Sequence, residues 1–137
     1  MMSTAATVRA LKEAGEDFEF YPSTDEIIRQ VTDDLLTEVD EYRDNKLGTV
    51  LDIGAGDGRV LVAMRKALED QQVFVECFAI EKAIHHLSNM PKQITVIGTD
   101  FEQQSLADKQ VGAVFCNPPY SEFEEWTLKI LREASAR

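Results

Sequence analysis

Basic residues are scarce in this chain. Its 137 residues hold 14 lysines and arginines against 25 aspartates and glutamates, a formal net charge of −11. A free-standing nucleic-acid binder carries a basic stripe that neutralises phosphates. None is visible, so a polyanion would have to be gripped by a surface elsewhere. Cysteine is scarcer still, with only Cys77 and Cys116. Both fall in apolar runs predicted as buried strands, and the expected sheet order puts another strand between them. That argues against a disulfide and for two small core residues. Long hydrophobic runs are missing too: nothing approaches the roughly 20 apolar residues that span a bilayer. The first twenty residues include Glu13, Glu16, Asp17 and Glu19 and no apolar stretch of the secretory kind, so the cytoplasm is the expected location. The two histidines, His85 and His86, are adjacent and have no cysteine near them in sequence. They are read as surface or helix-end residues, and no metal site is expected. There is no internal repeat and no low-complexity tract.

What remains is the composition of one globular domain, 44% hydrophobic and 28% charged. The pattern divides it into an N-terminal helical segment, residues 1–48, and an alternating core, residues 49–137. Thr4 to Ala14 reads as a short amphipathic helix with Val8 and Leu11 apolar, stopped by Gly15. Glu16 to Ser23 is an acidic and aromatic linker. Ser23 or Thr24 caps a second helix, whose Ile27, Ile28, Val31, Leu35, Leu36 and Val39 recur at helical spacing to about Asp44. Asn45 to Gly48 turns the chain. Four apolar strands then follow, Thr49–Ile53, Val73–Ile80, Ile94–Gly98 and Val111–Cys116, interleaved with helices over Gly58–Asp70, Ala83–Met90 and Glu122–Ala134. Gln103 to Lys109 is a loop or short helix. The last helix is expected to put Trp126, Ile130 and Leu131 on one face, with Trp126 packed on the sheet. Strands alternating with helices at this spacing predict βαβ units, a doubly wound parallel sheet and an α/β fold.

The chemistry concentrates at strand ends. Asp52-x-Gly54-Ala55-Gly56-x-Gly58 follows a strand and opens a helix, where glycines let the backbone turn sharply and approach a ligand. The dinucleotide fingerprint is G-x-G-x-x-G. Arg59 stands in the place of its last glycine, which argues against a pyrophosphate ligand. Glu81, followed by Lys82, ends the second strand, where an acid can accept hydrogen bonds from ribose hydroxyls. Asp100 ends the third beside Phe101, an acid and an aromatic ring suited to an adenine. Three strands thus end in acids at one edge of the sheet, outside which ligands bind in such folds. Asn117-Pro118-Pro119-Tyr120 ends the fourth. An exocyclic amine is a poor nucleophile because its lone pair is delocalised. The Asn117 side-chain oxygen and the Pro118 carbonyl can accept its two hydrogens and turn the lone pair toward an electrophile. Two prolines stiffen the turn and donate no N–H, and Tyr120 offers a face to a planar acceptor such as a flipped base.

On these residues the chain resembles the class I, Rossmann-like S-adenosylmethionine-dependent methyltransferases, from Thr49 to about Ala134. Asn117–Tyr120 is identical to the NPPY motif of the amino methyltransferases, a group including adenine-N6 DNA enzymes, ribosomal RNA enzymes and glutamine methyltransferases of release factors. Phe20-Tyr21-Pro22-Ser23-Thr24 is similar to the segment by which many of the DNA enzymes hold the methionine end of the cofactor. The resemblance implies S-adenosyl-L-methionine as cofactor, held by Tyr21, Pro22, Ser23, Thr24, Asp52, Gly54, Ala55, Gly56, Gly58, Glu81, Lys82, Asp100, Phe101 and Asn117. It implies a catalytic Asn117, Pro118, Pro119 and Tyr120, and methyl transfer to an amino nitrogen, foremost adenine N6 of DNA. RNA or protein glutamine as acceptor, and a catalytically silent module that binds the cofactor or a partner, are the alternatives. A full domain of this kind has seven strands in the order 3-2-1-4-5-7-6, and only four are read here. The sequence is therefore expected to be a core truncated after the fourth strand: a fragment, a shortened reading frame or one half of an assembly. Contacts to DNA, RNA or protein would come from outside it, and the fourth strand would be an open edge inviting self-association or a partner.

Overall fold

Helices come first along the chain, each started by a hydroxyl. Ser3 Oγ accepts the Ala6 N–H and opens α1 (Thr4–Glu13), which buries Thr7 and Leu11. Thr24 Oγ1 accepts the Ile27 N–H at 3.3 Å and opens α2 (Asp25–Thr37), whose first turn carries Asp25 and Glu26, the favoured charge at that end. The computed structural model describes residues 1–16, 20–39 and 47–136. Within them α2 stops at Thr37, short of Asp44, because the Glu38 and Val39 N–H groups fold back onto the carbonyls of Leu35 and Leu36. Of the predicted turn at Asn45–Gly48, Asn45 and Lys46 lie outside the described residues, and Gly48 already begins the first strand.

The alternating half follows as β1 (Gly48–Ile53), α3 (Arg59–Asp70), β2 (Val75–Ile80), α4 (Ile84–Asn89), β3 (Ile94–Gly98), β4 (Gln110–Val111), β5 (Ala113–Cys116), α5 (Phe123–Glu133) and β6 (Ser135–Ala136). Four strands form one parallel sheet in the order β3-β2-β1-β5, so the fold is α/β with a Rossmann-like core. Central β1 separates Cys77 on β2 from Cys116 on β5, and both cysteines are free. Successive β1 side chains alternate between faces. Val50 joins Ile28, Val60, Met64, Leu68, Cys77 and Ala79 beneath α2 and α3. Leu51 and Ile53 join Ile80, Phe101, Leu106 and Val111 beneath α5. Each fully buried leucine of this set contributes about 1.5–3 kcal/mol over its exposed state.

Two expectations change here. The fourth strand is not continuous: it breaks at Gly112 into β4 and β5. β4 leaves the main sheet to pair in parallel with β6, so the start of the fourth strand is covered rather than open. The helix α5 packs the partly buried Trp126 and Ile130 against the second core cluster, whereas Leu131 is 76% exposed. Five residues separate 126 from 131, about 140° around a helix, which takes Leu131 off the buried stripe. No helix among the described residues is long and apolar enough to cross a membrane.

Candidate active site

The carboxyl ends of β1, β2, β3 and β5 converge on one cleft of about 450 Å³, within the usual size for a small-molecule site. In-register pairing causes the convergence. Ile53 lies opposite Ile80 and Cys116, so the residues that follow each strand leave the sheet at one level. The glycine loop begins there, with the Gly54 N–H donating to the Ile80 carbonyl at 2.8 Å. Gly56 has φ +60°, and a Cβ on it would stand 2.8 Å from the Phe20 ring. Only glycine fits both the conformation and the contact.

Glu81 is the structural hinge of the cleft. One carboxylate oxygen accepts the Gly56 N–H at 2.7 Å; the other accepts the N–H groups of Lys82 at 3.0 Å and Ala83 at 2.9 Å. A carboxylate offers about four lone-pair positions, so three are engaged and one remains for a ligand hydroxyl. Burial raises the Glu81 pKa, against these three N–H bonds, which lower it. Asp52 lies 2% exposed below the loop. Burial first, and the nearby Glu81 second, push its carboxyl well above the ordinary range. Asp52 therefore favours the fold when protonated. That contribution is whole below the unfolded value of about 4 and is lost as pH rises through the folded value. Asp52→Asn is expected to raise the melting temperature of the ligand-free chain at pH 8 by a few degrees. Because the amide mimics the neutral acid, the gain should shrink to nothing near pH 4. A melting temperature unchanged or lowered at pH 8 contradicts the assignment.

Asp57 and Arg59 explain why the loop departs from the dinucleotide spacing. Asp57 Oδ1 accepts the main-chain N–H of Arg59, and its carboxylate pairs with the guanidinium at 2.6 Å, so the start of α3 already holds an anion. Burial raises the Asp57 pKa, but the hydrogen bonds and charge of Arg59 outweigh it and hold the carboxyl below its usual value. The same guanidinium donates to Thr4 Oγ1 at 2.9 Å and to the Met2 carbonyl and lies 5.5 Å from the Phe20 ring centre, docking α1 beside the loop.

Most of the site residues expected from sequence come together. Tyr21, Pro22, Ser23, Asp52, Gly54, Ala55 and Gly56 line the cleft. So do Glu81, Lys82, Asp100, Phe101, Asn117 and Pro119. Four stand apart. Thr24 is spent on capping α2. Gly58 packs against Met90, Pro91 and Ile94. Pro118 is not among the lining residues, and the Tyr120 ring is 87% exposed. Asp100 Oδ1 accepts the Glu102 N–H at 3.0 Å, and Phe101, 3% exposed, presses on the Trp126 ring with centroids 4.8 Å apart.

Several cleft residues escaped the sequence reading. Trp126, expected as plain core, lines the cleft over Gly54, and its Nε1 is buried without a hydrogen-bond partner. His86, expected at the surface or a helix end, lies in the last turn of α4 but is 3% exposed against Phe20, with Nδ1 equally unpartnered. Burial lowers its pKa, so the ring is neutral. Glu16 spans the gap to α4, accepting the N–H groups of Ile84 at 2.6 Å and His85 at 3.0 Å, which hold its carboxyl below the ordinary value. None of these carries a sequence signal, because each depends on a contact between distant segments.

These residues suit S-adenosylmethionine. Besides the buried Asp52, the cleft carries five acids, Glu16, Glu81, Asp100, Glu102 and Glu122, against Arg59 and Lys82, a balance that favours a cation. The orphaned Trp126 and His86 nitrogens are the kind of buried polar atom that a polar ligand satisfies.

Known structures share the architecture. The plantazolicin methyltransferase BpumL, crystallised with a monoazolic desmethylPZN analog and SAH, superposes with a TM-score of 0.54 at 17% identity, covering 96% of this chain and 53% of that one. Its complex with a triazolic analog and SAH gives 0.53, again at 17% identity, with coverage of 96% and 54%. At that identity the likeness concerns the fold, and the chain spans about half the length of the structures it matches. A search among curated proteins returned no match. The model of the methyltransferase small domain matches residues 26–136, from the first turn of α2 through β6. It takes in the glycine loop, Glu81, Asp100 and Asn117, and supports S-adenosylmethionine as cofactor. By that match the chain belongs to the methyltransferase small domain family.

Proposed function

We propose that this chain is the cofactor-binding part of an S-adenosylmethionine-dependent methyltransferase acting on an amino nitrogen, with adenine N6 of DNA as the acceptor. The observation that carries the reading is the position of Asn117, which ends β5 on the same cleft as Glu81 and Asp100. When bound, S-adenosylmethionine supplies an electrophilic methyl group. Glu81 accepts a ribose hydroxyl, Asp100 the adenine amino group, and the carboxylates of the cleft offset the positive charge. Asn117 Oδ1 and the Pro118 carbonyl accept the hydrogens of the acceptor amine, which aims its lone pair and stabilises charge developing on nitrogen. The exposed Tyr120 ring is free to stack on a planar acceptor.

A second reading, transfer to RNA or to a protein glutamine, shares all of this chemistry. For glutamine the supporting observation is the acidic rim, where Glu102 and Glu122 raise the cost of bringing phosphates close. Under the DNA reading, phosphate contacts come from surfaces beyond the described residues. A labelled methyl-transfer assay on DNA, RNA and protein, with this chain and with a version extended at its C-terminus, separates the two. Binding of S-adenosylhomocysteine without transfer by either version points instead to a silent cofactor-binding module. By calorimetry, Glu81→Ala is expected to weaken cofactor binding by about 1–3 kcal/mol, the worth of a hydrogen bond to a charged group. Unchanged affinity removes Glu81 from the site.

A further inference from the structure

The segment Phe20–Ser23 lines the cleft and is held on two sides of it. On the α4 side the Phe20 ring lies 4.5 Å from that of His86. Beneath, Phe20 rests on Gly56, so close that a Cβ there would clash at 2.8 Å. On the β5 side, Asn117 Nδ2 donates to the main-chain carbonyl of Tyr21 at 2.7 Å. This last bond decides which way the Asn117 amide faces. With Nδ2 committed to the strap, Oδ1 is the end left for an acceptor amine. A free, solvent-facing asparagine amide has no such preference and presents either end.

We propose that Phe20 is a positioning residue: packed between Gly56 and His86, it holds the Tyr21 carbonyl where it fixes the Asn117 amide with Oδ1 toward the acceptor, so that packing on the glycine loop and recognition of the acceptor are coupled. The proposal rests on Asn117 being the acceptor-facing residue. A ligand on the glycine loop meets Phe20 directly, and whatever steadies Phe20 steadies Asn117 through two residues of backbone. Binding of cofactor thereby raises affinity for the acceptor, and the acceptor raises affinity for cofactor by the same factor.

The test reads the Asn117 side-chain amide by nuclear magnetic resonance in the full chain, without acceptor and without turnover. In the unaltered protein its hydrogen-bonded proton should exchange about tenfold more slowly than an exposed amide. S-adenosylhomocysteine should slow it further. Phe20→Ala should abolish the protection, and Phe20→Leu, which keeps an apolar side chain over Gly56 but loses the ring contact with His86, should reduce it severalfold. Should Phe20→Ala not fold, Phe20→Leu still decides, since it conserves most of the apolar bulk. An Asn117 signal unchanged in a folded variant overturns the proposal. If S-adenosylhomocysteine binds no form of the protein, the proposed function falls, while the link between strap and Asn117 is still read from the ligand-free spectra.

Discussion

Gly112→Ala should cost the chain about 3 kcal/mol or more, toward or beyond the upper end for overpacking. Gly112 sits at the break between β4 and β5, where its N–H donates to the Thr49 carbonyl at 2.9 Å and to Thr49 Oγ1 at 3.0 Å. A Cβ there would stand 2.1 Å from the Leu47 carbonyl oxygen and 2.9 Å from that of Thr49. Both atoms are backbone at the start of β1, the strand between the two core clusters, so neither can swing aside as a long side chain would. Relief requires β5 to move off β1, which opens the cleft at Asn117 as well as the core at Leu51. Urea unfolding followed by circular dichroism checks it. A midpoint within error of the unaltered protein means that the close approach does not exist.

The second large effect concerns chemistry. Asn117→Ala should lower methyl transfer by about a hundred- to a thousandfold in any active form, the loss expected when one preorganised polar contact to the reacting group is removed. Cofactor affinity should fall only a few-fold, through the lost bond to Tyr21. Asn117→Asp makes the sharper comparison. It keeps an oxygen for the acceptor but has no N–H for the Tyr21 carbonyl, so it should be impaired as well. Single-turnover rates beside calorimetric affinities separate the two roles. Full activity in Asn117→Ala defeats the amino-methyltransferase reading; a collapse of cofactor affinity with little change in rate assigns Asn117 to the cofactor instead.

Local signals carried the reading of sequence as far as they reach. Strand β3 and helices α3 and α5 fall within a residue or so of their expected bounds, because apolar periodicity and the glycines, proline and acids that bound them are short-range features. The sheet order is what the family resemblance implies, and the row of acids at its edge is legible because parallel strands end on the same side. The break at Gly112 did not follow, since Val111–Cys116 is one apolar run and the break is dictated by carbonyls sixty-odd residues earlier. His86 was misjudged for the same reason. Its helix is short and carries little signal of its own, and it is the Phe20 ring, from a segment some sixty residues earlier, that lies against it. Trp126 was placed on the correct face of α5, but nothing in its neighbours reveals that this face meets the cleft at Gly54.

Helix α4 has a consequence for how the two halves of the chain depend on each other. It is six residues long, and its own N-cap, Ala83, supplies no side-chain bond. A helix of that length does not persist alone in water. Its first two N–H groups are satisfied by Glu16, 68 and 69 positions earlier in the chain. The wall that carries Glu81 and His86 is therefore a joint product of both halves, and cutting away the N-terminal segment leaves the first turn of α4 without a cap.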